Sequence, residues 1–160
     1  MVDPKSLAAS ASEVSKITNK SIDYLIVNGA YYGLDAYFVT PTEFLGQEDL
    51  HRRKSINNLD VNVLGVIHSI NAFLPLVRGG NATKIAVISS GLAELELAQK
   101  AYIAFAVLYS ATKVATNRVV AKYSTELKGE GIIILALSPG VVNTATEPCR
   151  FTRFETYVSQ

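Results

Sequence analysis

Three short runs of consecutive apolar residues punctuate the chain, and between them lie longer stretches with apolar positions every three or four residues. The first long stretch, Ser6 to Ile17, sets Leu7, Ala8, Ala11, Val14 and Ile17 mostly on one side of a helix. Ile22 to Val27 is a strand-sized apolar run closed by the turn signal Asn28-Gly29-Ala30. Tyr31 to Gly46 has mixed composition, includes Pro41, and reads as an irregular loop. From Glu48 to Leu74 the residues Leu59, Leu64, Val66, Ile67, Ile70, Phe73 and Leu74 recur at helical spacing, with Pro75 and Gly79-Gly80 as the stop. Thr83 to Ser89 holds a second strand around Ile85-Ala86-Val87-Ile88. Tyr102 to Leu127 predicts another long helix, stopped by Gly129 and Gly131, and Ile132 to Leu137 a third strand broken by Ser138-Pro139-Gly140.

The order is helix, strand, helix, strand, helix, strand, without internal repeats, which predicts one α/β domain over residues 1–160. Strands apolar on both faces and separated by helices imply a parallel sheet covered on both sides. Ligands on such sheets gather at the carboxyl ends of the strands. That directs attention to Asn28-Gly29-Ala30, Ser89-Ser90-Gly91 and Ser138-Pro139-Gly140.

Composition narrows the chemistry. With 49% hydrophobic residues, 18% charged residues and a net charge of +1, the chain suits neither disorder nor a nucleic-acid surface. The lone Cys149 excludes an internal disulfide, and two histidines without ligand spacing leave no metal site to propose. No basic-then-apolar leader follows Met1, and no apolar run approaches the ~20 residues of a membrane span, so a cytoplasmic location without membrane contact is the expectation. His68 and Phe73 fall in the apolar rhythm of their helix and read as packing residues. Glu94, Glu96 and the basic group His51 to Lys54 read as solvated surface.

The sharpest feature is Tyr109-Ser110-Ala111-Thr112-Lys113. Four-residue spacing on a helix puts the phenol and the ammonium on one side, and a nearby cation favours phenolate, as a general acid/base requires. With 8 tyrosines in the chain such a pair also arises by chance. Ser89 and Ser90 follow a strand, where a hydroxyl can hold a substrate oxygen or simply cap a turn. Asn62, three residues before Gly65, is unfavourable inside a helix and either has a local role or is merely tolerated.

Taken in order, these motifs resemble the short-chain dehydrogenase/reductase family, and its fungal members in particular. Asn28-Gly29-Ala30 is similar to the family's Asn-Asn-Ala-Gly turn, Asn62 to its helix asparagine and Ser89-Ser90 to its serine strand end. Tyr109 to Lys113 matches Tyr-x-x-x-Lys, and Pro139 to Thr144 matches the Pro-Gly segment. The resemblance implies a partial Rossmann-like, doubly wound parallel sheet with three core strands and the first half missing. It implies hydride transfer between NAD(P), with NADP favoured, and a carbonyl or secondary alcohol, with a lean to fungal secondary metabolism. Tyr109 would exchange the proton, Ser90 (or Ser89) would hold the substrate oxygen, and Lys113 would bind the nicotinamide ribose and lower the tyrosine's pKa. Asn62 would position a water in the proton relay. Asn28, Gly29 and Ala30 would line the adenosine-side ribose, Thr144 with the Pro139-Gly140 turn would approach the nicotinamide amide, and Val142 would also bind the cofactor. The two long helices would pair protomers into a homo-oligomer.

The departures carry expectations of their own. No G-x-G-x-x-G or T-G-x-x-x-G-x-G occurs in the sequence, although such a loop supplies the pyrophosphate's N–H groups. Against the family pattern the chain reads as truncated at both ends, with Glu94 to Phe105 as an apolar insertion beside the substrate pocket. Strand Ile22 to Val27 would then present an uncovered edge and the sheet one bare side, making the chain poorly soluble or oligomeric when expressed alone. The competing reading is a non-catalytic remnant or helix-pairing subunit that binds no cofactor.

Overall fold

The computed structural model describes residues 3–140. Its elements are α1 (Pro4–Ile17), β1 (Tyr24–Val27), α2 (Leu34–Tyr37), α3 (Glu48–Leu59), α4 (Gly65–Arg78), β2 (Lys84–Ile88), α5 (Leu95–Lys100), α6 (Val107–Glu126) and β3 (Ile133–Leu137). The strands form a parallel sheet in the order β1-β2-β3, with Leu25, Ile85 and Ile134 in one register row and Val27, Val87 and Ala136 in another. Asp3 starts α1: its carboxylate accepts from the Lys5 and Ser6 N–H groups, and Pro4 follows at the first helical position, where its missing N–H has no consequence.

The core occupies one side of the sheet. Val66, Ile70 and Val77 of α4 and Val120 of α6 pack with Val27, Ile85, Val87 and Ile134, and α1 lies along α4. The other side corrects the expectation of a sheet covered on both faces. Tyr24, Ile26, Ile133, Leu135 and Leu137 are all about half exposed or more, because no described helix lies over them. β1 stands at an edge of the described sheet, as the departures from the family pattern predict.

Three local features differ from the sequence pattern. Pro75 does not end α4, which runs one turn further to Arg78 because Leu76 and Val77 are buried there. Pro75 and Asn71 lie on the exposed side, where water can serve the carbonyl left without a donor. The segment 31–46 contains α2 and a 3-10 turn at Pro41–Phe44 with a Thr40/Glu43 capping box. The last long helix begins at Val107 instead of Tyr102, since Tyr102 and Ala106 both adopt positive φ (52° and 58°), and the segment read as an apolar insertion, Glu94 to Phe105, holds α5.

The turn from α4 into β2 presses on the chain before β1. A Cβ on Gly80 would lie 2.1 Å from the Ile22 carbonyl oxygen, and one on Gly79 2.6 Å from that of Lys20. The Asp23 carboxylate latches the same turn by accepting from the N–H groups of Asn81 (2.6 Å) and Ala82 (3.1 Å), which holds its carboxyl below the usual range. The continuous helical run Glu48–Arg78, 31 residues, is the one described helix long and apolar enough to cross a membrane, yet its α4 portion forms part of the sheet's core.

Candidate active site

β2 delivers two adjacent serines to the carboxyl edge of the sheet, and extended backbone turns them to opposite sides. Ser89 is buried; its Oγ donates to Asn117 Oδ1 of α6 at 2.6 Å, and its N–H donates to the Leu137 carbonyl at 2.8 Å. Ser90, half-buried, has its hydroxyl close enough to the Tyr109 phenol to act on its titration, and its Oγ accepts from the Leu92 N–H at 3.2 Å. Of the two serines, Ser90 is therefore the one at the phenol.

α6 presents Tyr109 and Lys113 one turn apart. Lys113 is only 1% exposed; its Nζ donates to the Ile88 carbonyl at 2.7 Å and lies 5.6 Å from the centre of the Tyr109 ring. The electrostatics correct one expectation. Burial pushes the Tyr109 phenol above its ordinary value, and the neighbouring Ser90 hydroxyl pulls it back only in part. Lys113 does not hold the phenol down here, and burial lowers its own pKa. Desolvation disfavours the charged form of both groups and outweighs their attraction across the ring.

Asn62 lies in a single π-helical turn, Asp60–Leu64, that joins α3 to α4. Such wide turns recur at functional sites because they rotate a side chain out of helical phase. The buried Asn62 Nδ2 donates to the Tyr31 carbonyl (2.7 Å), to Thr112 Oγ1 (3.0 Å) and to Asn58 Oδ1 (3.3 Å), while Oδ1 accepts from the Tyr31 N–H (2.7 Å). Its own carbonyl accepts from Thr116 Oγ1 at 2.7 Å. Asn62 thus ties the chain leaving Asn28-Gly29-Ala30 to the helix that carries Tyr109 and Lys113. Those three residues follow β1, with Asn28 and Ala30 exposed and Gly29 half-buried. Val142 and Thr144 lie outside the described residues.

Sequence reasoning missed Tyr37. The last residue of α2 meets the Tyr109 ring edge-on at 6.0 Å and also contacts Tyr32, Phe38 and Phe105. Its carbonyl accepts from the Ala106 N–H at 2.6 Å, which fastens α2 to the start of α6. A segment without periodicity gave no sign of it; a dense run of aromatic residues was the only available signal. A separate open groove of about 410 Å³ is lined by Leu34, Asp35, Phe38, Val39, Glu43 and Gln47, none of them a member of the Ser90-Tyr109-Lys113 group.

This arrangement can hold and protonate an oxygen atom: a phenol with its proton, a hydroxyl beside it, and a cation close behind. The residues also fit the ribose end of a nicotinamide cofactor. Among the described residues the Ile88 carbonyl is the acceptor that engages Lys113 Nζ, and a lysine ammonium has two further N–H donors of the kind ribose hydroxyls accept. Among the described residues no group of His, Cys, Asp and Glu could hold a metal ion.

Comparison with known proteins gives a consistent picture. Residues 1–152 match the short chain dehydrogenase family. The short-chain dehydrogenase/reductase atnB of Arthrinium sp is 42% identical over 144 residues, covering 90% of this chain and 54% of that protein. The short-chain dehydrogenase/reductase AacuF of Aspergillus aculeatus is 38% identical, over 89% of this chain and 53% of its own. The chain thus spans about half the length of the curated relatives it matches. Among solved structures, the NADP complex of a short chain dehydrogenase from Burkholderia cenocepacia superposes with a TM-score of 0.68 at 22% identity, over 89% of this chain and 51% of that one. The NADH-dependent enoyl-[acyl-carrier-protein] reductase of Aquifex aeolicus gives 0.77 at 18% identity, over 99% and 57% respectively. The sheet and its helices are therefore a Rossmann-type fold, and the chain belongs to the short-chain dehydrogenase family of oxidoreductases.

Proposed function

We propose that this chain carries the proton-transfer centre of an NAD(P)-dependent reductase acting on a carbonyl, or in reverse on a secondary alcohol. The observation that carries the reading is the grouping of three side chains, with the Ser90 hydroxyl acting on the Tyr109 phenol and Lys113 Nζ 5.6 Å from the centre of the same ring. When bound, a nicotinamide cofactor supplies or receives the hydride. Ser90 holds the substrate oxygen, and Tyr109 gives it the proton as negative charge develops there. A phenol pushed up by burial keeps its proton at neutral pH, which suits reduction better than oxidation.

Lys113 and Tyr109 would hold the nicotinamide ribose, and Asn28, Gly29 and Ala30 the adenosine side. Thr144 would approach the nicotinamide amide, and Val142 would be a further cofactor contact. Asn62 bears on the proton path through its hold on Tyr31 and Thr112, and a water at its carbonyl would share that oxygen with Thr116. NADP is the proposed form, supported by the NADP complex of the Burkholderia neighbour. The proposal extends to a small hydrophobic substrate, to the cytoplasm, and to secondary metabolism in a fungus, in keeping with relatives from Arthrinium and Aspergillus. Tyr109→Phe keeps the ring and removes the proton, so carbonyl reduction should fall by about 10²–10⁴-fold with binding retained. Unchanged turnover would end the assignment.

A second reading, a helix-pairing subunit without catalysis, draws on Ile56, Leu59, Leu64 and Val114, which leave apolar surface exposed on the long helices. The same surface supports homo-oligomer formation through those helices in either reading. Calorimetric titration with NADPH and NADH separates the two: saturable binding supports the enzyme, and its absence supports the subunit.

A further inference from the structure

We propose that Tyr37 is a specificity-determining residue that favours substrates whose carbonyl is joined to a flat aromatic ring; the proposal rests on the carbonyl-reductase reading above. The Tyr37 ring is 6.0 Å from Tyr109's at 60°, 5.8 Å from Phe105's and 5.1 Å from Phe38's. It therefore joins the reacting phenol to an aromatic cluster whose inner member, Phe105, is buried. The outer members, Tyr32 and Phe38, are 48% and 38% exposed. That makes a wall fixed at its base and open at its rim.

The wall is held in place by backbone as well as by ring contacts. The Tyr37 carbonyl accepts from the Ala106 N–H at 2.6 Å, and Ala106 takes the left-handed conformation (φ 58°) to present it. A non-glycine residue holds such a conformation only where its surroundings impose it. That bond fixes the Tyr37 backbone beside α6, and the contacts with Tyr32, Phe38, Phe105 and Tyr109 set the position of the ring. The charged residue on α2, Asp35, is paired with Lys54 at 2.6 Å, so recognition at the rings rests on shape and π character. Aromatic rings gain from edge-on or offset contact with another aromatic ring, and a saturated ring of equal size lacks that gain.

The test uses the full chain and a matched pair of probes, 2-acetylnaphthalene and its fully saturated decalinyl methyl ketone. Wild type, Tyr37→Phe and Tyr37→Leu are compared by kcat/KM with NADPH and by calorimetric binding of each ketone. Wild type should favour the naphthyl ketone by about tenfold, the size of one aromatic contact. Tyr37→Phe should keep that ratio and Tyr37→Leu should bring it close to one. A ratio unchanged in Tyr37→Leu, or no preference in wild type, overturns the assignment; a general loss of fold would lower both ketones together. If Tyr37→Leu fails to fold, Tyr37→Met takes its place, with the same ratio deciding. If no variant reduces either ketone, the reductase reading fails and calorimetry alone decides. Naphthyl binding about tenfold weaker in Tyr37→Leu then supports the role of Tyr37, and equal affinity or no wild-type binding overturns it.

Discussion

Replacing Asn62 with alanine should cost this chain about 3 kcal/mol. The side chain is fully buried, and its amide makes two 2.7 Å hydrogen bonds to the Tyr31 backbone and one of 3.0 Å to Thr112 Oγ1. Each such bond contributes about 1 kcal/mol net, so their joint loss comes to about 3 kcal/mol. Thr112 still donates to the Tyr109 carbonyl at 2.8 Å, and Tyr31 is only half-buried, so water can limit the penalty on both partners. Against a typical domain stability of about 5–15 kcal/mol, that is a substantial fraction. Urea unfolding followed by circular dichroism gives the number, with the slope unchanged between variants. Hydrogen exchange at the Tyr31 amide locates it, because that N–H loses its acceptor. Asn62→Asp keeps the acceptor but turns a carboxylate oxygen toward the Tyr31 carbonyl, and should be at least as damaging. A loss below about 1 kcal/mol with Tyr31 exchange unaltered would refute the view that this asparagine ties the loop to α6.

Other consequences can be measured on the same chain. Without cofactor, the Tyr109 phenol should titrate later than an ordinary tyrosine, because its raised pKa means that the folded state holds the proton more tightly. The difference in phenolate absorbance between wild type and Tyr109→Phe should develop above about pH 10, and its appearance near neutrality would contradict the burial argument. Gly80→Ala places a Cβ 2.1 Å from the Ile22 carbonyl oxygen, where backbone must give way; a melting temperature within about 2 °C of wild type would refute the view that this close approach constrains the turn. The exposed row of Ile26 and Leu135 should drive association of the expressed chain, and Ile26→Lys with Leu135→Glu should shift sedimentation toward monomer. Equal association in the double variant would reject that face as the cause.

The parts of the fold and site legible in the sequence were those that local periodicity controls. Apolar runs marked the strands to within two residues, because a parallel strand leaves little room for polar side chains. The Tyr109–Lys113 spacing needed only helical geometry. Features set by distant contacts were hidden. Asp60–Leu64 keeps a helical hydrophobic rhythm, so nothing local betrayed its wide turn, and Pro75 stayed inside α4 because Leu76 and Val77 are buried beyond it. Tyr37 sits on a four-residue helix, too short to register as a period, and reaches the phenol only through tertiary packing. The sign of the Tyr109 shift was misread for the same reason: spacing identifies a neighbouring charge, whereas desolvation depends on the whole surroundings.

The two serines at the end of β2 show how much rests on parity. One residue fastens a helix through Asn117 and the next meets the phenol, although they are chemically identical. Inserting or deleting a single position in the strand would exchange these tasks, sending the reactive hydroxyl into the interior and the anchor into the cleft. The number of residues in the strand is therefore as much a requirement as the hydroxyl at each of the two positions.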